Sequence, residues 1–142
     1  MALSGYRRFA FVSVMALALG PAAAAADESG DPAIIGSWLA EDIGGGGVVD
    51  RVETEIEISA DGRITGSGGC NRITGSAEFG PDKITFGAIA ATRMACPQAV
   101  MDQETKFLAA LEKTRSWQVD PARRKLTLFG EGNETLVVLA AR

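Results

Sequence analysis

The sequence predicts an α+β domain built mainly from antiparallel β-hairpins, with one α-helix. Three observations carry that prediction. Val52, Thr54, Ile56 and Ile58 alternate with Glu53, Glu55 and Glu57, the period-2 pattern of a strand with one buried and one wet face. Val100, Phe107, Leu108 and Leu111 share one face of a 3.6-residue period, which predicts a helix over about residues 97–113. Strand-like apolar runs lie on both sides of that helix, an order that suits sheet and helix packed around one core.

The first residues are of another kind. A cationic start ending in Arg7 and Arg8 leads into an apolar run from Phe9 to Leu19, then Gly20, Pro21 and alanines to Ala26, which reads as a secretory leader over 1–26 with cleavage before Asp27. The apolar run is about a dozen residues against the roughly 20 of a spanning helix, so no stable membrane insertion is expected after cleavage. No cysteine stands in or just after the leader to carry a lipid, and the mature chain is expected in the periplasm or secreted. Residues 27–33, with Gly30 and Pro32, are expected as a flexible lead-in, and 34–142 as one domain with one core.

Within the domain, Ile34 to Leu39 reads as the first strand and Gly44 to Gly47 as a loop. The alternating strand through Ile58 turns at Ala60-Asp61-Gly62 and returns through Arg63 to Gly68 as a hairpin. Ser76 to Phe79 and Lys83 to Phe86 flank Gly80-Pro81-Asp82 as a second hairpin. Pro97 suits the first turn of the helix. Trp117 and Val119, then Leu126, Leu128 and Phe129, then Leu136 to Leu139 predict three closing strands. Asp120 to Lys125, which holds the tight basic cluster Arg123-Arg124-Lys125, reads as a turn between the first two.

Composition narrows the chemistry. The 142 residues carry a formal charge of −4, which becomes about −6 once Arg7 and Arg8 leave with the leader. That balance opposes nucleic-acid binding, which needs basic side chains to neutralise phosphates. The sequence has no histidine, which removes Ser-His and Cys-His catalysis and the usual zinc and copper sites. The one tyrosine, Tyr6, lies in the leader. The row Glu53, Glu55, Glu57 places carboxylates about 7 Å apart along a strand, a solvated face rather than a facing acid-base pair. Neither glycine run completes a dinucleotide or phosphate-loop pattern, since Asn71 and Val49 stand where glycine is required. No catalytic residue, metal or cofactor is expected, and the protein is read as a non-enzyme and a monomer.

The two cysteines, Cys70 and Cys96, sit in an exported chain and point to a structural disulfide. The other reading, a reactive thiol, lacks both a C-x-x-C spacing and a histidine neighbour. Asn71, in a glycine-rich segment, is expected as a buried hydrogen-bonding residue. Arg72 is read as an ion-pair or surface residue, with Arg72 and Arg93 as candidate binding residues. Trp38, Phe79, Phe86, Met94, Phe107 and Trp117 are assigned to the core.

The segments GGCNRITG, residues 68–75, and TRMAC, residues 92–96, flank a hairpin and precede the helix Glu104 to Leu111 and a Leu-Thr-Leu strand. With Trp38-Leu39 ahead of them, they resemble the META domain, also called the HslJ-like heat-shock family, over about residues 34–140. The resemblance implies a small antiparallel β-barrel-like fold with one helix, a Cys70–Cys96 disulfide, and structural roles for Gly69, Asn71, Gly75 and Met94. It also implies a bacterial envelope or secreted protein, some members being linked to heat stress. Ile73 departs from the pattern, standing where an aromatic residue is common. The function expected is a non-enzymatic exported stress-associated protein that binds an envelope protein or a lipid, with Ala88, Ile89, Ala90 and Ala91 lining an apolar groove between helix and sheet. The alternative is an inhibitor of a secreted enzyme, or another specific protein-binding module, presenting Arg72 or Arg93 on the disulfide-braced loop.

Overall fold

The computed structural model describes residues 32–142, together with Gly20. The leader expected over 1–26 otherwise lies outside the described residues, as does the lead-in up to residue 31. Nine strands and a helix follow in order: β1 (Gly36–Ile43), β2 (Glu55–Ile58), β3 (Arg63–Ser67), β4 (Arg72–Phe79), β5 (Ile84–Phe86), β6 (Ala90–Ala91), α1 (Gln98–Lys113), β7 (Ser116–Asp120), β8 (Lys125–Phe129) and β9 (Thr135–Ala141). The α+β class and, among the described residues, the single helix are as the hydrophobic periods predict.

The sheet runs β5-β4-β3-β2-β1-β9-β8-β7, with every named pairing antiparallel. Its two ends curl toward one another. The Ile84 N–H donates to the Arg115 carbonyl at 3.1 Å and the Trp117 N–H to the Asp82 carbonyl at 3.0 Å, and Lys83 bridges Ser116. The result is a nearly closed eight-strand barrel, a form that leaves little unpaired edge. β1 bends between Ala40 and Asp42, where its register on β9 shifts by one residue, the irregularity that lets a strand turn a barrel corner.

Inward positions of these strands form the core. Ile56, Ile58, Ile64, Ile73, Leu126, Leu128, Val137 and Leu139 are buried inside the barrel, and Phe107 and Leu111 of α1 close it against β1, β5 and β9. Trp38 and Trp117 bury their rings while donating their indole N–H groups to the carbonyls of Ile34 and Gly80, at 2.8 and 3.0 Å, which satisfies the polar tip of each. Among the described residues no helix is long and apolar enough to cross a membrane.

Several sequence readings need correction: the alternating strand expected from Val52 starts at Glu55, and the hairpin strand expected from Ser76 already starts at Arg72, within the first cysteine segment. The first strand begins at Gly36 rather than Ile34 and continues to Ile43; Ile34 is buried in the preceding turn, its carbonyl held by Trp38. Gln103 and Glu104 are buried on α1, whereas Val100 and Leu108 are only half-buried. Met94 is 59% exposed and not in the core. Its N–H donates to Asn71 Oδ1 at 2.6 Å, which fixes the backbone and leaves the side chain outside. Phe79 is partly buried against the core rather than within it.

Candidate functional site

The two cysteine segments meet above the start of α1. Cys70 and Cys96 are joined by a disulfide with their Cα atoms 5.9 Å apart, so the reactive-thiol reading has no free thiol to work with. The bridge ties the β3–β4 loop to the residue that precedes Pro97, the N-cap of α1.

Beneath the bridge lies a polar clamp. Glu104, 8% exposed, accepts the backbone N–H of Cys70 at 3.0 Å and that of Asn71 at 2.5 Å through Oε2. Its Oε1 accepts Asn71 Nδ2 at 2.7 Å. Asn71 in turn accepts the Thr92 hydroxyl at 3.0 Å and the Met94 N–H on Oδ1, so one amide reads both cysteine segments. The neighbouring Gln103 accepts the Val49 N–H and donates Nε2 to Thr54 Oγ1 at 2.9 Å. The Thr54 hydroxyl passes a hydrogen bond to the Gly68 carbonyl at 2.9 Å. Two adjacent helix residues therefore hold two separate loops.

Two glycines make room for this arrangement. A Cβ on Gly68 would stand 2.4 Å from Glu104 Cγ. Gly69 has φ of +122°, a conformation side-chain-bearing residues rarely adopt. Gly75 lies farther along in β4, paired with Ile64. Among the described residues, every buried side-chain nitrogen and oxygen has a hydrogen-bond partner. The Glu104 carboxylate is thus fully engaged in holding the loop, and the clamp is built for rigidity.

Sequence reasoning missed Gln103 and Glu104 because both are polar and good helix formers. A signal was nonetheless present, since positions 103 and 104 lie three and four residues after Val100 and inside the stripe that continues to Phe107 and Leu111.

Two surface clefts adjoin the clamp's elements. One, of about 700 Å³, lies between α1 and the segment linking β5 to β6. Ala88 and Ile89 form one wall, while Thr105, Leu108, Ala109 and Glu112 form the other at helical spacing. Ala90 and Ala91 do not line it, contrary to the sequence expectation, because they form β6 and pair with Thr74 and Ile73 of β4. The second cleft, of about 800 Å³, crosses the outer face of β1 to β4 and reaches Cys70, Arg72 and Met94. It includes Glu55 and Glu57, so the acidic row partly borders a concavity rather than a plain wet face. Arg72 and Arg93 are exposed and make no ion pair among the described residues. Arg142 donates to Glu53 at 2.9 Å and also pairs with Glu55. Its guanidinium is held above the ordinary arginine value, first by the Glu53 hydrogen bond and then by the Glu55 charge.

Comparison with known proteins adds family and fold. The family model described as the META domain matches residues 33–142. A protein from Burkholderia xenovorans, solved by NMR, superposes with a TM-score of 0.63 at 24% identity, over 75% of this chain and 81% of that one. A second protein solved by NMR superposes with a TM-score of 0.54 at 27% identity, over 72% of this chain and 86% of the other. No curated protein matches the chain in sequence.

Proposed function

The chain belongs to the META domain family, and we propose that it works as a non-enzymatic, exported binding domain that takes up an apolar segment of an envelope protein or lipid. The observation that carries this reading is the cleft between α1 and Gly87–Ile89. Its walls are mainly apolar, its volume of about 700 Å³ falls in the range of ordinary ligand sites, and a disulfide and buried hydrogen bonds brace the elements around it. A preformed cleft lowers the ordering cost of binding.

The non-enzymatic part of the proposal is supported by chemistry. The sequence lacks histidine, and Glu104, a buried carboxylate, is committed to Cys70 and Asn71. Export to the periplasm or beyond is supported by the leader pattern and by the disulfide, which persists in oxidising compartments. The association with envelope or heat stress comes from the family resemblance.

Native mass spectrometry of the protein recovered from its own compartment tests the proposal. A copurifying lipid or peptide mass, lost when Ala109→Arg fills the cleft, is the expected result. A clean protein mass, together with no uptake of unfolded polypeptide or lipid by the purified protein, would overturn it.

A further inference from the structure

The cleft across the outer face of β1 to β4 has a charge pattern of its own. Ser37 pairs with Glu57, Glu57 with Thr65, and Ser67 with both Glu55 and Arg72. All lie on the face opposite Ile56, Ile64 and Ile73, which fill the core. Arg142 is already engaged by Glu53 and Glu55. That leaves Arg72 at one end and Glu57 at the other, both exposed and without an ion pair among the described residues.

The separation follows from the register. Glu57 and Arg72 are two strands apart across the sheet and one side-chain repeat apart along it, which sets their Cα atoms at about 12 Å. An extended peptide covers that distance in about four residues. Between the charges the floor presents Thr65 and Ser67 of β3, with Ser37 of β1 beyond Glu57. Their hydroxyls can donate and accept and so suit peptide groups, Ser67 also accepting the Gly69 N–H at 3.2 Å. Met94 forms part of the wall with Cys70, an adaptable thioether surface for an apolar side chain. The disulfide and the Asn71–Glu104 contacts hold that wall in place, which limits the entropy lost on binding.

We infer that this cleft is a binding site for an extended polypeptide segment carrying an acidic side chain for Arg72 and, about four residues away, a basic side chain for Glu57. Sugars and bases fit less well, since no aromatic ring lines the cleft to stack on them, and an anionic membrane would meet Glu55 and Glu57. This site is separate from the apolar cleft beside α1 and does not depend on it.

The test uses the oxidised full chain and fluorescently labelled, end-capped heptapeptides of serine and threonine. One carries a glutamate and a lysine four positions apart, and the others carry glutamate alone, lysine alone or neither. The two-charge peptide is expected to bind about tenfold or more tightly than the uncharged one, and less so as salt rises. Arg72→Glu should cut its affinity by a similar factor and improve that of the lysine-only peptide, a gain that a misfolded protein could not produce. Ala109→Arg, which plugs the other cleft, should leave these affinities unchanged. Equal binding of all four peptides, indifference to Arg72→Glu, or no binding of any peptide at millimolar concentration would each overturn the inference.

Discussion

Asn71 and Glu104 are joined twice: the carboxylate accepts the Asn71 side-chain amide at 2.7 Å and also its backbone N–H. The same carboxylate holds the N–H of Cys70. Removing it takes the acceptor from three donors, of which the two on Asn71 are buried and that of Cys70 is partly buried, and leaves Asn71 Nδ2 only a long contact to the Met94 carbonyl at 3.5 Å. Glu104→Ala is therefore predicted to lower stability by about 3 kcal/mol, the scale of losing charge-assisted hydrogen bonds and leaving their donors unpaired. Urea unfolding of the oxidised variant measures the loss. Glu104→Gln, which keeps an acceptor oxygen, should lose less.

Gly68→Ala sets a methyl 2.4 Å from Glu104 Cγ and 2.7 Å from Oε2. The clamp must shift to admit it, with a predicted loss of about 1–3 kcal/mol. In the Glu104→Ala background the collision is gone, so the two losses should fall short of their sum. A double-mutant cycle by urea unfolding checks this.

The hairpins and the helix were legible because local periods report them. Alternation from Val52 to Ile58 and the stripe from Val100 to Leu111 are properties of short windows; α1 follows the stripe, while β2 takes up only the Glu55–Ile58 part of the alternation, Val52 to Thr54 preceding it outside the strand. The clamp was harder to see because it is a contact between residues 33 apart in the chain, and nothing local distinguishes a solvated glutamate from one under a loop. The same limit explains Met94. Its side-chain type favours burial, but the partner of its backbone, Asn71, decides its direction. β6 escaped notice because two alanines carry no alternation. Their place beside Ile73 and Thr74 is set by the fold around β4.

The disulfide closes a loop with a sequence separation of 26, for which chain entropy gives about 3.5 kcal/mol of stabilisation. Replacing both cysteines by serine should lower stability by that order. Thermal unfolding with and without reductant should show the wild type falling to the level of the double variant, and the variant not responding.

Arg142 contributes through Glu53 and Glu55 at the surface. Because its pKa is raised, its share of stability is present below the ordinary arginine range and is lost only as pH climbs through the raised value. Arg142→Ala should therefore show a stability difference that does not change from neutral into mildly alkaline pH. The difference should shrink as salt screens the pair. Chemical unfolding across a pH and sodium chloride series checks both.

The most direct measurement is the affinity of the oxidised protein for an alkylated, permanently unfolded polypeptide and for phospholipid vesicles, compared between wild type and Ala109→Arg at matched thermal stability. The binding-domain reading predicts micromolar uptake of one of these probes by the wild type, weakened about tenfold or more when the arginine fills the cleft between α1 and Gly87–Ile89. Equal uptake by both proteins, or none by either, would contradict it.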